Sequence, residues 1–377
     1  MEVLDHKDYI FIPEHTYNIY GVPELLDFFC KENKLKYIIY SLKELKQSLQ
    51  YNKLSNELIK LKNYNILLFI VPVSIPIDQK IYNLFNKNII SFATPSTGID
   101  HVDYSFLKEH TIPFFDAQGE NRDSVVEYVL STLPYFNIEQ KLLKKELTLG
   151  IIGFGRIGSL LAKILKYLGF KFIAIDPYVL SEEYNRNLSR IQECDIISFH
   201  VPLTKSGQFP TYEIIDKIYI DKILPQQIII NTSRGKIFSP VSYNKIINQN
   251  ICAFDVYYEE PPEENLLKSE KLKIATPHVA GYNWISRFRG FYRVLEKFAG
   301  YFNFKFHYDI NDFKPSYYEI EIFDSILKET ILLKRDIRYF YIRDNYPIRA
   351  NIKEQKYNKH WHFFHKLLYE FFIEFDS

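Results

Sequence analysis

A glycine-rich turn between a strand and a helix is the feature that most constrains the fold of this chain. Residues 150–176 read GIIGFGRIGSLLAKILKYLGFKFIAID. An apolar run of the buried-strand type breaks at Gly153, Gly155 and Gly158, a G-x-G-x-x-G sequence, and apolar residues at helical spacing follow it. The pattern predicts a strand, a tight turn, an amphipathic helix and a second strand that ends at Asp176.

Each part of this turn suits the binding of a dinucleotide. The first glycine makes the turn, the second lets backbone approach a pyrophosphate, and the third lets the helix pack close to its strand. The start of the helix, with Arg156 and Ile157, presents free N–H groups and the positive end of the helix dipole to the phosphates. A carboxylate at Asp176 can accept hydrogen bonds from a ribose 2′-hydroxyl and repels a 2′-phosphate, so NAD is favoured over NADP. A glycine turn that merely caps a helix is the alternative, and the flanking strand, helix and acid argue against it.

Length and composition indicate a globular chain of more than one domain. The chain has 377 residues, which is too long for one hydrophobic core. The formal net charge of +1 gives no electrostatic reason to expect nucleic acid or an anionic membrane as a partner. Cys30, Cys194 and Cys252 lack C-x-x-C spacing, and the first residues lack an apolar signal segment. We therefore expect a cytoplasmic protein that does not span a membrane.

The order of apolar runs predicts a parallel sheet. Strand-like runs alternate with helical stretches from residue 147 onward, which is typical of a doubly wound α/β domain with right-handed crossovers. Two earlier strands are expected at 65–71 and 88–92, and a helix is expected over about 283–302. The later candidate strands lie at 151–152, 172–175, 196–200, 228–231, 253–256 and 274–275.

Three polar loops follow the later strands and carry the residues suited to catalysis. Arg234 lies in NTSRGK, Glu260 in FDVYYEEPP and His278 in TPHVAGY. Carboxyl ends of parallel strands meet at one edge of the sheet, so we expect these side chains to converge. Histidine can take a hydroxyl proton, a carboxylate can fix its tautomer, and arginine can hold a substrate carboxylate in a bidentate fork.

Structural roles are the alternative for each of these residues taken alone. A single histidine after proline, an arginine before glycine or a glutamate in an acidic run commonly has no catalytic role. The same holds for the small polar turn with Ser96 and Gly98, which follows a strand and is either a ligand loop or a plain turn. His360, His362 and His365 have no carboxylate or cysteine at ligand spacing, so we predict no metal site.

The set of motifs resembles the D-isomer-specific 2-hydroxyacid dehydrogenase family. The likeness covers about residues 90–305 and consists of GIIGFGRIG, NTSRGK, an aspartate with Glu-Pro five residues on, and TPHVAGY. The resemblance implies that Arg234 orients the substrate, that Glu260 supports the histidine, and that His278 donates or accepts the proton. It also implies contacts with the adenosine ribose at Asp176, with the nicotinamide at Asp255 and Gly281, and with the substrate at Ser96, Gly98 and Tyr282.

The resemblance also implies the domain organisation. A discontinuous, flavodoxin-like substrate domain would form a lid over a Rossmann NAD domain, and a small C-terminal α+β domain would make a homodimer. The expected ranges are 1–116 for the first part of the lid domain, 117–282 for the NAD domain, 283–306 for the helix returning to the lid domain, and 307–377 for the dimerisation domain.

The implied reaction is the NAD-dependent oxidation of a small phosphorylated 2-hydroxy acid. Val71-Pro72 stands where the family has Arg-Ser, so the sequence does not assign the groups that bind the phosphate. Two other functions stay open. The first is a dehydrogenase of the glycerate or 3-phosphoglycerate type, and the second is an NAD-sensing protein without turnover.

Overall fold

The computed structural model describes residues 8–19, 21–59 and 64–309. Within these residues the chain forms two compact units, 8–121 with 284–309, and 122–283. The predicted dimerisation domain lies outside the described residues, apart from its first three positions.

Eleven strands and twelve α-helices make up the regular structure of the described residues. The strands are β1 (Asp8–Pro13), β2 (Lys36–Tyr40), β3 (Asn65–Ile70), β4 (Phe92–Thr94), β5 (Phe114–Asp116), β6 (Thr148–Ile152), β7 (Lys171–Ile175), β8 (Ile196–Phe199), β9 (Ile228–Asn231), β10 (Cys252–Phe254) and β11 (Leu272–Ala275). The helices are α1 (Glu14–Tyr17), α2 (Val22–Asn33), α3 (Leu42–Tyr51), α4 (Gln79–Leu84), α5 (Tyr104–Glu109), α6 (Arg122–Thr132), α7 (Glu139–Lys144), α8 (Arg156–Leu168), α9 (Tyr184–Ser189), α10 (Pro240–Gln249), α11 (Glu264–Leu267) and α12 (Trp284–Phe302).

The first unit is built on a five-stranded parallel sheet. Its strands lie in the order β2-β1-β3-β4-β5, the flavodoxin-like arrangement that the resemblance implied. Helix α12 joins the core of this unit, as the ring of Phe298 lies 6.1 Å from that of Phe29. The predicted helix over about 283–302 is confirmed. The side chains that α12 buries recur at helical spacing, and they are Phe288, Phe291, Val294, Leu295 and Phe298.

The second unit is a six-stranded parallel sheet with a core on each face. Its strands lie in the order β11-β10-β9-β8-β6-β7. Alternate residues of β6 enter different cores: Leu149 and Ile151 pack with α8, whereas Ile152 packs on the face of α10. The doubly wound α/β prediction is therefore confirmed for residues 122–283. The order reverses between β6 and β8, and ligands bind in the crevice at such a switch point.

The expected strand at 88–92 is wrong in its position. The strand observed there, β4, starts at Phe92, and Ile89 makes only an isolated bridge with Ile66. The interruption lies beside Leu67, the one extra residue that β3 carries in its pairing with β1. The Ser91 hydroxyl donates to the Leu67 carbonyl at this irregularity. A local bulge of this kind leaves no trace in the apolar pattern of the sequence.

Candidate functional site

The glycine turn after β6 is shaped by two close backbone approaches. Gly153 has a φ of +94°, and a Cβ built there would lie 2.6 Å from the carbonyl oxygen of His200. A Cβ on Gly158 would lie 2.0 Å from the carbonyl oxygen of Gly153, so α8 can approach the turn only with glycine at this position. A Cβ on Gly155 would meet nothing within 4 Å. The second glycine thus faces open space, which fits the predicted approach of a pyrophosphate.

The start of α8 has the properties expected of an anion site. Gly155 is the N-cap residue, and no side chain caps the first turn. Arg156 is exposed and Ile157 is half-buried at the first two helical positions. The thirteen-residue helix therefore presents the N–H groups of its first turn and the positive end of its dipole beside the turn.

Asp176, at the end of β7, is bonded to the glycine turn. Its Oδ2 accepts a hydrogen bond from the backbone N–H of Phe154 (2.8 Å). Its Oδ1 accepts from the backbone N–H groups of Tyr178 (2.8 Å) and Val179 (3.0 Å). A carboxylate has about four acceptor positions, so one remains for a ribose hydroxyl. Sequence reasoning found the candidate ribose contact and missed the bond to Phe154.

Glu260 and His278 are in contact. Oε2 of Glu260 lies 3.1 Å from Nδ1 of His278, and Oε1 accepts a hydrogen bond from the backbone N–H of Tyr257 (3.3 Å). Because an ionised carboxylate only accepts hydrogen bonds, Nδ1 carries the proton and Nε2 of a neutral imidazole keeps its lone pair. The histidine side chain is 33% exposed.

Arg234 lies on the loop that follows the neighbouring strand β9. Its side chain is half-buried, and Nη1 donates to the carbonyl of Ser233 (2.8 Å). The side-chain amide of Asn231 donates to the carbonyl of Arg234 (3.1 Å) and so holds the loop. The loops of Arg234, Glu260 and His278 follow β9, β10 and β11, which are adjacent in the sheet. The structure therefore joins Glu260 and His278 directly and puts Arg234 at the same sheet edge.

Asp255 is buried directly after β10. Its Oδ1 accepts hydrogen bonds from the Thr276 hydroxyl (2.5 Å) and from the backbone N–H of Val279 (2.8 Å), while Oδ2 accepts from that of Ala280 (2.9 Å). Burial raises the pKa of this carboxyl, and the donated hydrogen bonds, together with His278 when its imidazole is protonated, oppose the rise. The family resemblance implied that Asp255 lies near a nicotinamide. These hydrogen bonds were not predicted, since Thr276 has the sequence context of an ordinary strand residue.

The predicted substrate positions belong to both units. Ser96 and Gly98 lie in the loop after β4 in the first unit, and both are half-buried. Thr97, between them, donates to the side-chain oxygen of Asn121 (2.8 Å). Tyr282, the third predicted substrate contact, follows Gly281, a predicted nicotinamide contact, in the second unit, and its backbone N–H donates to the carbonyl of Val279 (2.8 Å).

Residues 8–19, 21–59 and 64–309 contain no group of three or more histidine, cysteine, aspartate or glutamate side chains that could hold a metal ion. His360, His362 and His365 lie outside the described residues. Among the helices of the described part of the chain, none is long and apolar enough to cross a membrane.

Sequence comparison identifies relatives across most of the chain. Residues 137–280 match the model of the D-isomer specific 2-hydroxyacid dehydrogenase, NAD binding domain. The chain is 33% identical over 286 residues to erythronate-4-phosphate dehydrogenase of Proteus mirabilis, covering 72% of this chain and 75% of that protein. It is 36% identical over 291 residues to the enzyme of the same name from Wigglesworthia glossinidia brevipalpis, covering 72% and 74%.

Solved structures share the fold at lower sequence identity. The 3-phosphoglycerate dehydrogenase of Entamoeba histolytica with bound NAD+ has a TM-score of 0.58 at 20% identity, covering 82% of this chain and 99% of that one. D-lactate dehydrogenase of Aquifex aeolicus, complexed with NAD and lactic acid, has a TM-score of 0.57 at 23% identity, covering 78% and 95%. The match of residues 137–280 to the NAD binding domain of the family, together with these shared folds, confirms the predicted Rossmann-type NAD-binding domain.

Proposed function

Because the chain belongs to the D-isomer-specific 2-hydroxyacid dehydrogenase family and, within it, to the erythronate-4-phosphate dehydrogenases, we propose that it oxidises 4-phospho-D-erythronate. The product is 2-oxo-3-hydroxy-4-phosphobutanoate, and NAD is the oxidant. We propose that this reaction is a step in the synthesis of pyridoxal 5′-phosphate, which follows from the likeness to erythronate-4-phosphate dehydrogenases.

The observation that carries the proposal is the contact between Glu260 and His278 on the NAD-binding unit. Oxidation of a secondary alcohol removes a proton from oxygen and a hydride from the same carbon. With Nδ1 protonated toward Glu260, Nε2 of His278 accepts the hydroxyl proton, and the glutamate stabilises the imidazolium that forms. Bound NAD supplies the hydride acceptor.

Arg234 has the complementary part in this proposal. A guanidinium can hold the substrate carboxylate in a bidentate fork and polarise the oxygen that becomes the carbonyl. The half-buried position of Arg234 after β9 supports this assignment. The residues that would hold NAD are the turn at Gly153, Gly155 and Gly158, the start of α8, and Asp176, with Asp255 and Gly281 toward the nicotinamide.

The phosphate of the substrate needs cationic partners that Val71 and Pro72 do not supply. Both residues are buried after β3, and neither can donate a side-chain hydrogen bond. We therefore propose that basic side chains at other positions bind the phosphate. We further propose that the protein is a cytoplasmic homodimer formed through residues 307–377. Cys30, Cys194 and Cys252 are buried free thiols.

The test is a comparison of substrates followed by NADH absorbance. The purified full-length protein is given NAD with 4-phospho-D-erythronate, D-glycerate or 3-phospho-D-glycerate. Highest kcat/KM on 4-phospho-D-erythronate supports the proposal. Preference for either other acid identifies a related dehydrogenase, and NAD binding without turnover of any acid identifies a sensing protein.

A further inference from the structure

The backbone at His278 adopts a conformation that needs support. Its φ is +60°, in the left-handed region that non-glycine residues rarely occupy. Three consecutive N–H groups of this turn bond to one residue, Asp255. The N–H of His278 donates to its carbonyl oxygen (2.7 Å), and those of Val279 and Ala280 donate to its carboxylate (2.8 and 2.9 Å). Asp255 therefore holds the left-handed turn that carries the histidine.

Asp255 is in turn held by two buried hydroxyl groups. The Thr276 hydroxyl donates to Oδ1 of Asp255 (2.5 Å), and the Tyr128 hydroxyl lies 2.6 Å from the same threonine oxygen. Thr276 has a single hydroxyl proton and gives it to the carboxylate, so Tyr128 must be the donor in the second bond. The hydrogen-bond chain therefore runs from Tyr128 on α6 through Thr276 after β11 to Asp255 after β10.

All three members of this chain are shielded from water. Tyr128 and Asp255 are each 1% exposed, and Thr276 is 0% exposed. A buried carboxylate is stable in its charged form only when donors compensate for the lost hydration. Packing alone does not require the two hydroxyls, because phenylalanine and valine fill nearly the same volumes. Their position behind Asp255 thus indicates a role at the turn.

We propose that Tyr128 and Thr276 are positioning residues of the dehydrogenase, which fix the His278 turn through Asp255. The inference rests on the proposed function and deepens it. Two sets of hydrogen bonds then fix the position of the imidazole. Glu260 holds the ring at Nδ1. The bonds from the N–H groups of residues 278–280 to Asp255, which we call the Asp255 clamp, hold the backbone that carries the ring. A small displacement of a general base weakens proton transfer while substrate binding stays nearly the same.

The test compares Tyr128→Phe, Thr276→Val and Thr276→Ser in the full-length protein. Tyr40→Phe and Thr132→Val are matched controls, since each removes a buried hydroxyl that donates to a backbone carbonyl and not to Thr276 or Asp255. We expect kcat to fall about fivefold in Tyr128→Phe and about tenfold in Thr276→Val, with KM within about twofold of the wild type. Thr276→Ser keeps the hydroxyl and should restore kcat.

A second readout does not depend on turnover. Amide hydrogen exchange at Val279 and Ala280 should accelerate in Tyr128→Phe and Thr276→Val and remain slow in Thr276→Ser and in both controls. The variant with both Tyr128→Phe and Thr276→Val should have the same kcat and exchange rates as Thr276→Val alone, because both changes break the same hydrogen-bond chain. If Thr276→Val does not fold, Tyr128→Phe, which removes one oxygen atom only, carries the comparison.

The results separate this inference from the proposed function. A wild-type protein without turnover on any hydroxy acid contradicts the function, while the exchange measurement still tests the clamp. Kcat values and exchange rates in Tyr128→Phe and Thr276→Val that match those of the control variants would overturn the inference.

Discussion

Nδ1 of His278 lies 3.1 Å from Oε2 of Glu260, although 18 positions separate the two residues in the chain. The contact joins the loop after β10 to the loop after β11, two strands that pair in parallel. It gives the imidazole one tautomer and one direction, as a general base requires.

Replacing His278 by alanine should remove the general base. We expect kcat to fall by about 10²–10⁴-fold with a smaller change in KM, because proton transfer is stabilised only in the transition state. Steady-state NADH formation measures both constants. His110→Ala, which alters a half-buried histidine of the other unit, is the control. An unchanged kcat would remove His278 from the mechanism.

Replacing Glu260 by glutamine should keep the shape and remove the charge. A glutamine amide can donate to Nδ1 and stabilise the tautomer that leaves Nε2 protonated, so we expect kcat to fall by about 10–10³-fold. Glu259→Gln is a close control, because the adjacent carboxylate is exposed and pairs with Lys236 at 3.1 Å. Equal activities of the two variants would show that the charge of Glu260 has no special part in catalysis.

Alanine at Gly158 and alanine at Gly155 should affect different properties of the protein. A methyl group at Gly158 collides with the Gly153 carbonyl, so the free energy of unfolding should fall by about 1–3 kcal/mol. A methyl group at Gly155 enters open space, so stability should change by less than about 0.5 kcal/mol. The NAD dissociation constant of Gly155→Ala should rise by about tenfold, an effect of ~1.4 kcal/mol. Denaturant unfolding and NAD titration of both variants test the prediction. A loss of stability in Gly155→Ala, or an unchanged stability in Gly158→Ala, would contradict the roles given to these glycines.

Asparagine at Asp176 should weaken the preference for NAD. The substitution removes the charge that repels a 2′-phosphate, and we expect the ratio of kcat/KM for NADP to that for NAD to rise about tenfold, equivalent to ~1.4 kcal/mol. The control is Asp195→Asn, which also alters a carboxylate that accepts a backbone N–H, that of Thr148. A ratio that stays at the wild-type value in Asp176→Asn would place the ribose elsewhere.

His200 should make the protein sensitive to acid. Burial lowers the pKa of its imidazole from 6.5 to about 3, and its Nδ1 is buried. Between pH 6.5 and about pH 3, His200 binds a proton in the unfolded chain and not in the folded chain. The free energy of unfolding therefore falls as the pH drops below 6.5, by up to ~1.4 kcal/mol per pH unit. Above pH 6.5 the group contributes no pH dependence.

The measurement is the free energy of unfolding at pH 7 and pH 5. His200→Gln should lose less stability between the two than the wild type. Equal losses would show that His200 is protonated in the folded protein.

The sequence predicted those features that arise from local patterns or from strand order. The glycine spacing determines the turn, and Glu260 and His278 meet because their loops leave adjacent parallel strands. The clamp on the His278 turn could not be predicted, since Tyr128 in an apolar helix and Thr276 before a proline resemble ordinary core residues. The start of β4 at Phe92 was not predicted, because the apolar pattern does not record the irregular pairing beside Leu67.

The carbonyl of His200 stands where a side chain on Gly153 would be, so the loops after β6 and β8 approach each other closely at this point. Any residue with a Cβ at position 153 would have to push these two loops apart. The width of the proposed cofactor site therefore depends on a hydrogen atom, in place of a methyl group, at residue 153.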